Sequence, residues 1–355
     1  MSFFKTHRAF ASVMTSIKAL AAAGISVLLL TAPSAVSSAQ KPKPELHIKF
    51  ATLAPEGSTW MKTMRALDTE LREKTENRIG FKFYTGGVQG DEKDVLRKMR
   101  NGQLHAGGFT GFGLGAIAPD VRVLELPFMF ETDEEIDYVR AQMNELFSGF
   151  FTDNGFLSLG WADVGFIYMF SNSPIKSPAD LQAVKMWIWS GDPLAELFFK
   201  AFDISPIPLS APDVLTSLQT GIVNAVYASP LACVALQWFT RVKYMTAVPI
   251  THALGAVLIS DKILAKASEG DVQILKDLSA KYMGSLNGKT RAQNKTAIES
   301  MKKEGVQVLT IDEAARNEFF TAGRSAWQDG VGQLFSQELL DQVQAILAEY
   351  RKSGK

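Results

Sequence analysis

Few residues of this 355-residue chain have the type and spacing for bond-making chemistry. Beyond the N-terminal leader the histidines are His47, His105 and His252. None stands in a Ser-His-Asp or Cys-His order that would activate a nucleophile. Without Cys or His clustering there is no zinc set. Cys233, the lone cysteine, reads as a small buried apolar residue and excludes an intramolecular disulfide. Asp91, Glu92 and Asp94 gather within one turn. At the start of a helix they read as a solvated first turn that complements the helix dipole. Gly107-Gly108 and Gly111-Phe112-Gly113-Leu114-Gly115 are no phosphate loop, because no Gly-Lys-Ser/Thr follows. Residues 111–116 fit the alanine variant of the dinucleotide fingerprint, but Pro119 follows too soon for the helix that fingerprint needs. They read instead as a tight loop where backbone or ligand comes close. The expectation is no enzyme, no cofactor and no metal.

The elements that would position any site begin after a leader. Lys5, His7, Arg8 and Lys18 precede an apolar run over 19–32, then Pro33 and the small residues Ser37-Ser38-Ala39. Residues 1–39 are therefore expected to be a cleavable export signal directing the protein to the periplasm. The run is shorter than the ~20 residues that span a bilayer. A lipid anchor needs a cysteine beside the cleavage point, and Cys233 is far from it. Cleavage removes three basic residues and leaves 34 basic against 37 acidic, a net charge of −3. That balance points away from nucleic acid as a partner.

The mature chain reads as α/β. Leu46, Ile48 and Phe50 alternate with His47 and Lys49, a strand. Ser58 is a candidate cap for a helix carrying Met64, Leu67 and Leu71. A strand over 81–84 and a helix over 91–100 complete a strand–helix–strand–helix start, the pattern of a parallel sheet covered by helices. Residues 106–112 read as a strand end and loop, 134–151 as a helix, 156–161 and 166–170 as strands. A strand over 183–189, helices over 194–202 and 211–220, and a strand over 225–228 follow. Beyond Ile250 the chain is mostly helical and charged, over 261–294 with a break at Gly270, and over 296–304, 314–331 and 338–351.

Five stretches in order carry a resemblance. They are Ala51-Thr52-Leu53-Ala54-Pro55-Glu56-Gly57-Ser58, Arg122-Val123-Leu124-Glu125-Leu126-Pro127-Phe128-Met129-Phe130, Ser173-Pro174-Ile175-Lys176-Ser177-Pro178-Ala179-Asp180-Leu181, Leu218-Gln219-Thr220-Gly221-Ile222-Val223-Asn224 and Thr251-His252. Together they resemble the substrate-binding receptors of tripartite ATP-independent periplasmic (TRAP) transporters, of the dicarboxylate-receptor (DctP) type. The resemblance covers nearly all of residues 45–345. It implies a two-domain periplasmic-binding-protein fold, type II-like, whose lobes hinge around a ligand and share a long helix. It places 45–164 plus 251–300 in lobe one, and 165–250 plus 301–355, with the C-terminal helices packing across both, in lobe two. It implies a small-molecule ligand in the cleft and TRAP permease membrane subunits as partners. A homodimer is compatible with it.

The sequence departs from that family at its anchors. The arginine that pairs with a ligand carboxylate through a planar fork falls at Trp187, a second arginine of some members at Ile167, and an asparagine at Ala228 or Ser229. A carboxylate buried against Trp187 and Ile167 would be unpaired, at a cost of several kcal/mol. The expected ligand is therefore neutral, aromatic or apolar, or amine-bearing. The expected ligand-binding residues are Trp60, Gln89, Thr110, Phe112, Trp161, Asp163, Phe166, Tyr168, Trp187, Trp189 and Tyr227. Aromatic faces suit flat, apolar or cationic groups, Asp163 is the candidate counter-charge for an amine, and Gln89 and Thr110 are candidate hydrogen-bonding groups. Two other readings remain: an organic-acid receptor using other donors such as Lys185, Arg241 or backbone N–H groups, and a ligand-free envelope interaction protein of the same fold.

Overall fold

The computed structural model describes residues 43–354, so the export signal expected over 1–39 lies outside the described residues. Among the described residues no helix is long and apolar enough to cross a membrane. Nor does any group of three or more His, Cys, Asp or Glu side chains form a metal-holding set.

The chain opens with β1 (Leu46–Ala51), α1 (Thr59–Lys74), β2 (Ile79–Tyr84), α2 (Glu92–Arg100) and β3 (Ala106–Thr110). β1 pairs in parallel with both β2 and β3, which helical crossovers make possible. In α1 the Ser58 hydroxyl caps the Met61 N–H, and Met61, Met64, Leu67 and Leu71 are buried. That three-and-four spacing is one helix face laid on the sheet. Next come α3 (Gly111–Ile117), a 3-10 turn (Pro119–Glu125), α4 (Asp133–Asp153), β4 (Phe156–Trp161), β5 (Gly165–Ser171) and a second 3-10 turn (Pro178–Ala183). β6 (Trp187–Trp189), α5 (Pro193–Lys200), β7 (Ile207–Leu209), α6 (Val214–Thr220), β8 (Ala225–Ala228) and α7 (Pro230–Ala235) follow. The remainder is β9 (Tyr244–Thr246), β10 (Thr251–Ala253), β11 (Gly255–Ser260), α8 (Asp261–Leu264), α9 (Glu269–Lys303), β12 (Gln307–Leu309), α10 (Glu313–Gly330) and α11 (Gln337–Lys352).

The strands form two main sheets, β2-β1-β3-β11-β4 and β10-β5-β9-β12 with β8 also on β5, plus the pair β6-β7. The chain crosses from one sheet to the other through Ala162-Asp163-Val164 and returns through Leu254. The crossings are bonded to each other: Ala162 N–H donates to Gly255 O at 2.7 Å, and Val164 N–H to Ala253 O at 3.4 Å. A third tie is α9, 35 residues and thus about 52 Å long. Its Leu275, Leu278, Met283 and Leu286 sit in the core beside the first sheet. Its Ile298 and Met301 pack into a core beside the second. The result is a two-lobe α/β fold with one helix spanning both lobes.

Several elements differ from the sequence reading for local reasons. Only Trp187–Trp189 is strand within 183–189, because Ser177 and Asp180 form a capping box and start a 3-10 turn that runs to Ala183. The helical break expected at Gly270 falls earlier, where Ser268 caps α9, and α9 then continues unbroken to Lys303. β11 has no alternation because it lies between β3 and β4 and is buried along its whole length. β10 pairs with β5, so residues 251–253 belong to the second sheet and the return to the first begins at Gly255.

Candidate functional site

A cavity of about 530 Å³ lies between the two sheets. Its walls come from the β1–α1 loop, the β3–α3 junction, β6, one face of α5, the β8–α7 junction and one side of α9. Among the expected site residues, Trp60, Thr110, Phe112, Asp163, Trp187, Trp189 and Tyr227 line it. Ile167, Ala228 and Ser229, expected from the resemblance to stand at anchor positions, line it too. The other four expected residues lie elsewhere. Gln89 is held by Lys98, whose Nζ donates to its Oε1 at 3.0 Å. Trp161 turns toward α4, donating to Asn144 Oδ1 at 3.2 Å and packing on Phe147 and Phe151. Phe166 and Tyr168 flank Ile167 on β5 and so point to the opposite face from it; Phe166 packs edge-on against His252. Lys185 donates to Gly221 O at 3.3 Å, and neither it nor Arg241 lines the cavity.

Trp187 is the centre of the aromatic wall. It is fully buried, stacks on Tyr227 at 5.2 Å and 23°, and meets Trp189 and Trp238 at 4.9 and 5.1 Å. Its Nε1 donates to Leu209 O at 3.1 Å. The indole is thus both cavity wall and core. Trp238 is buried and lines the cavity as well. Trp189 reaches across: its ring stacks on Phe112 at 5.2 Å and 13°. Its Nε1 donates to the Asp91 carboxylate at 3.1 and 3.2 Å. Asp91 also accepts the Ala211 N–H at 3.0 Å, and Lys93 Nζ donates to Gly191 O at 2.9 Å. These contacts join the two lobes beside the cavity.

Four further charged residues of the site were not among those expected from the sequence. Glu92, Arg122, Glu125 and Asp192 are all buried and line the cavity. Of Asp91, Glu92 and Asp94, only part is a helix start: Asp91 and Asp94 form a capping box. Glu92 is 3% exposed, so it is no solvated first-turn residue. It accepts the Thr110 N–H at 2.9 Å, the Thr110 hydroxyl at 3.0 Å and the Gly113 N–H at 2.8 Å. Burial pushes its pKa up to about 8 against those donors, and the Asp91 charge adds to the rise.

The glycine run has its explanation here. It forms the short helix α3 rather than a loop, and its glycines make room for charged side chains. A Cβ at Gly111 would overlap the Glu125 carboxylate, at Gly113 the Glu92 carboxylate, and at Gly115 the Arg122 stem. Arg122 donates through Nη1 and Nη2 to Asp192 at 2.9 and 3.2 Å. Its Nε lies 2.9 Å from Glu125 Oε2. Burial opposes the Arg122 charge, and Asp192 and Glu125 outweigh it, raising the pKa above the ordinary guanidinium value. Burial raises the Glu125 carboxyl, with Arg122 opposing. Glu125 also accepts the Leu254 N–H at 2.7 Å. Among the described lining residues Arg122 is the one cation.

Asp163 lines the cavity but is not an open counter-charge for an amine. Arg140 Nη1 reaches its Oδ1 at 2.5 Å and Arg291 Nη2 its Oδ2 at 2.6 Å. Asn287 on α9 accepts the Asp163 N–H at 2.8 Å and donates to Trp161 O at 3.2 Å. The residue fixes the crossing to α4 and α9. Thr110 likewise has its hydroxyl and N–H engaged by Glu92. Three lining atoms are free of good hydrogen-bond partners: Arg122 Nε, whose 2.9 Å contact with Glu125 is an ion pair without hydrogen-bond geometry, Gln293 Oε1, and Tyr227 Oη, which lies near the Trp189 backbone without forming a well-shaped bond.

Residues 50–333 match the family model described as bacterial extracellular solute-binding protein, family 7. The chain is similar to solute-binding protein RD1_1052 of Roseobacter denitrificans, 26% identical over 95% of this chain and 99% of the relative. It is also similar to the C4-dicarboxylate-binding periplasmic protein DctP of Rhodobacter capsulatus, 26% identical over 79% and 85% of the two chains. A TRAP periplasmic solute-binding protein from Xanthobacter autotrophicus, solved with bound β-D-galacturonate, shares the fold with a TM-score of 0.79 at 20% identity, over 84% of this chain and 99% of that one.

Proposed function

Because the chain belongs to bacterial extracellular solute-binding protein family 7, whose members are receptors for transport rather than enzymes, we propose that it captures a neutral aromatic or apolar solute and delivers it to a TRAP-type permease. In this reading 45–164 with 254–300 form one lobe, and 165–250 with 301–355 the other, β10 (251–253) joining the sheet of the second and α11 packing back on the first. Closure of the lobes around the solute makes the shape the permease recognises. The observation that carries the solute class is the state of Arg122. The cavity's one cation among the described lining residues already has Asp192 hydrogen-bonded to both Nη atoms and its charge further balanced by Glu125, 2.9 Å from Nε but not hydrogen-bonded to it. A ligand carboxylate would face an aromatic wall at Trp187 and two resident carboxylates, and would be desolvated without a partner. The free Tyr227 hydroxyl and Gln293 carbonyl suit one neutral polar handle on an otherwise apolar ligand.

Two observations favour other ligands. Glu92, Glu125 and Asp192 outnumber Arg122, which favours an amine-bearing solute whose cation would lower the cost of ionising Glu92. The Rhodobacter relative and the Xanthobacter protein bind, by their names, a C4-dicarboxylate and a uronate, and Arg122 could serve such acids only after losing Asp192. Calorimetric titration of the mature protein with succinate, galacturonate and sialic acid tests the proposal. No binding is expected at micromolar concentration. Tight binding of any one of them contradicts the neutral-solute reading.

A further inference from the structure

Arg122 has the means to bind a carboxylate: a guanidinium aimed into the cavity wall, with its stem held in the space left by Gly115. What lies on its fork is Asp192, through two N–H···O bonds of 2.9 and 3.2 Å. That is the two-point geometry an arginine gives a ligand carboxylate. Asp192 is also the N-cap of α5, its Oδ1 accepting the Leu194 N–H at 3.1 Å and the Ala195 N–H at 3.4 Å. It arrives from the second lobe, while Arg122 stands beside the first. Capping alone does not need the fork, since serine, threonine or asparagine cap as well. The carboxylate at this position satisfies Arg122 in addition to the helix.

We propose that Asp192 is a specificity-determining residue, an internal carboxylate that holds the Arg122 fork and so excludes carboxylate solutes from the cavity. The inference deepens the neutral-solute reading and rests on it. A solute acid would have to displace Asp192, leaving that side chain buried beside Glu125 with no cation of its own. The other charges of the site do not substitute for the fork. Glu92 is held by Thr110 and Gly113, and Arg140 and Arg291 are bound to Asp163.

The test uses a matched pair of probes, benzoate and benzamide, titrated into the wild-type protein, Asp192→Ser, and Asp192→Ser with Arg122→Met. Serine retains a capping oxygen while removing the charge and opening space at the fork. Asp192→Ser is expected to bind benzoate about tenfold more tightly than the wild type does, as a charge-assisted bidentate pair would give. The second substitution is expected to abolish the gain, with circular dichroism showing that the variants fold. A folded Asp192→Ser with no gain, or a gain that survives loss of Arg122, overturns the proposal. If Asp192→Ser does not fold, Asp192→Asn is read in its place: a gain in benzoate binding supports the proposal and no gain overturns it. Failure of the underlying reading looks different, because the wild-type protein itself would then bind benzoate tightly and prefer it to benzamide.

Discussion

Phe112 and Trp189 stack at 5.2 Å with their planes 13° apart, although 77 residues of sequence separate them and they belong to opposite sides of the cleft. Phe112 comes from the glycine-rich α3 and Trp189 from the end of β6. Asp91 fixes the indole from the first side through its Nε1. The stack is therefore a closure contact made by the protein itself. Phe112→Ala removes an aromatic pair worth ~0.5–1.5 kcal/mol and is expected to shift the ligand-free protein toward an open form. Small-angle scattering should show a larger radius of gyration for the variant. An unchanged radius would mean that the stack does not hold the lobes.

Stability should depend on pH through Glu92. Its native pKa of about 8 lies above the ordinary 4.5, so between those values the native state keeps a proton that the unfolded chain has released. Its contribution is fully present below about pH 4.5 and is lost as pH rises toward about 8, with a slope of up to ~1.4 kcal/mol per pH unit. Glu92→Gln, which mimics the protonated acid, should flatten that fall. Urea melts across the window decide it; parallel pH profiles for the two proteins would contradict the assignment.

Trp187 is so enclosed that its replacement should be read first as a stability change. Trp187→Ala is expected to cost about 3–5 kcal/mol from the cavity it leaves. Trp187→Arg should cost at least as much, since a guanidinium would be buried in place of a ring held between Tyr227 and Trp238. Denaturant unfolding measures both. A Trp187→Arg protein as stable as wild type would show that the site can hold the arginine that the resemblance leads one to expect there.

The glycines of α3 should respond unequally to a methyl group compared with a glycine elsewhere. Gly113→Ala is expected to destabilise by about 1–3 kcal/mol, because its Cβ would overlap Glu92 and Phe109. Gly149→Ala, in α4 with nothing within 4 Å of its Cβ, should be neutral or stabilise by ~0.5–1 kcal/mol. Equal effects in thermal melts would remove the argument that these glycines exist to seat charged side chains.

Much of the fold was legible because its early elements obey simple periods. β1 alternates, α1 carries its apolar residues three and four apart, and Ser58 stands where the cap is needed. Buried charges have no period. Glu92 follows a helix cap and looks solvated, and only tertiary packing under Gly113 buries it. Arg122 and Glu125 did stand out as charges inside the apolar stretch 121–130, and the glycines at 111, 113 and 115 are their complement. That pairing was the available signal. The aromatic side chains divided by strand parity: Ile167 faces the cavity, so Phe166 and Tyr168 cannot. Asp163 was placed near the site by the sequence, but its role depends on Arg140 and Arg291, which arrive from α4 and α9.

Native mass spectrometry of the protein purified from the periplasm reads out what fills the cleft. A co-purifying neutral solute, aromatic or apolar, is expected, released on denaturation and small enough for a cavity of about 530 Å³. Release of a uronate, a dicarboxylate or another organic acid would contradict that expectation.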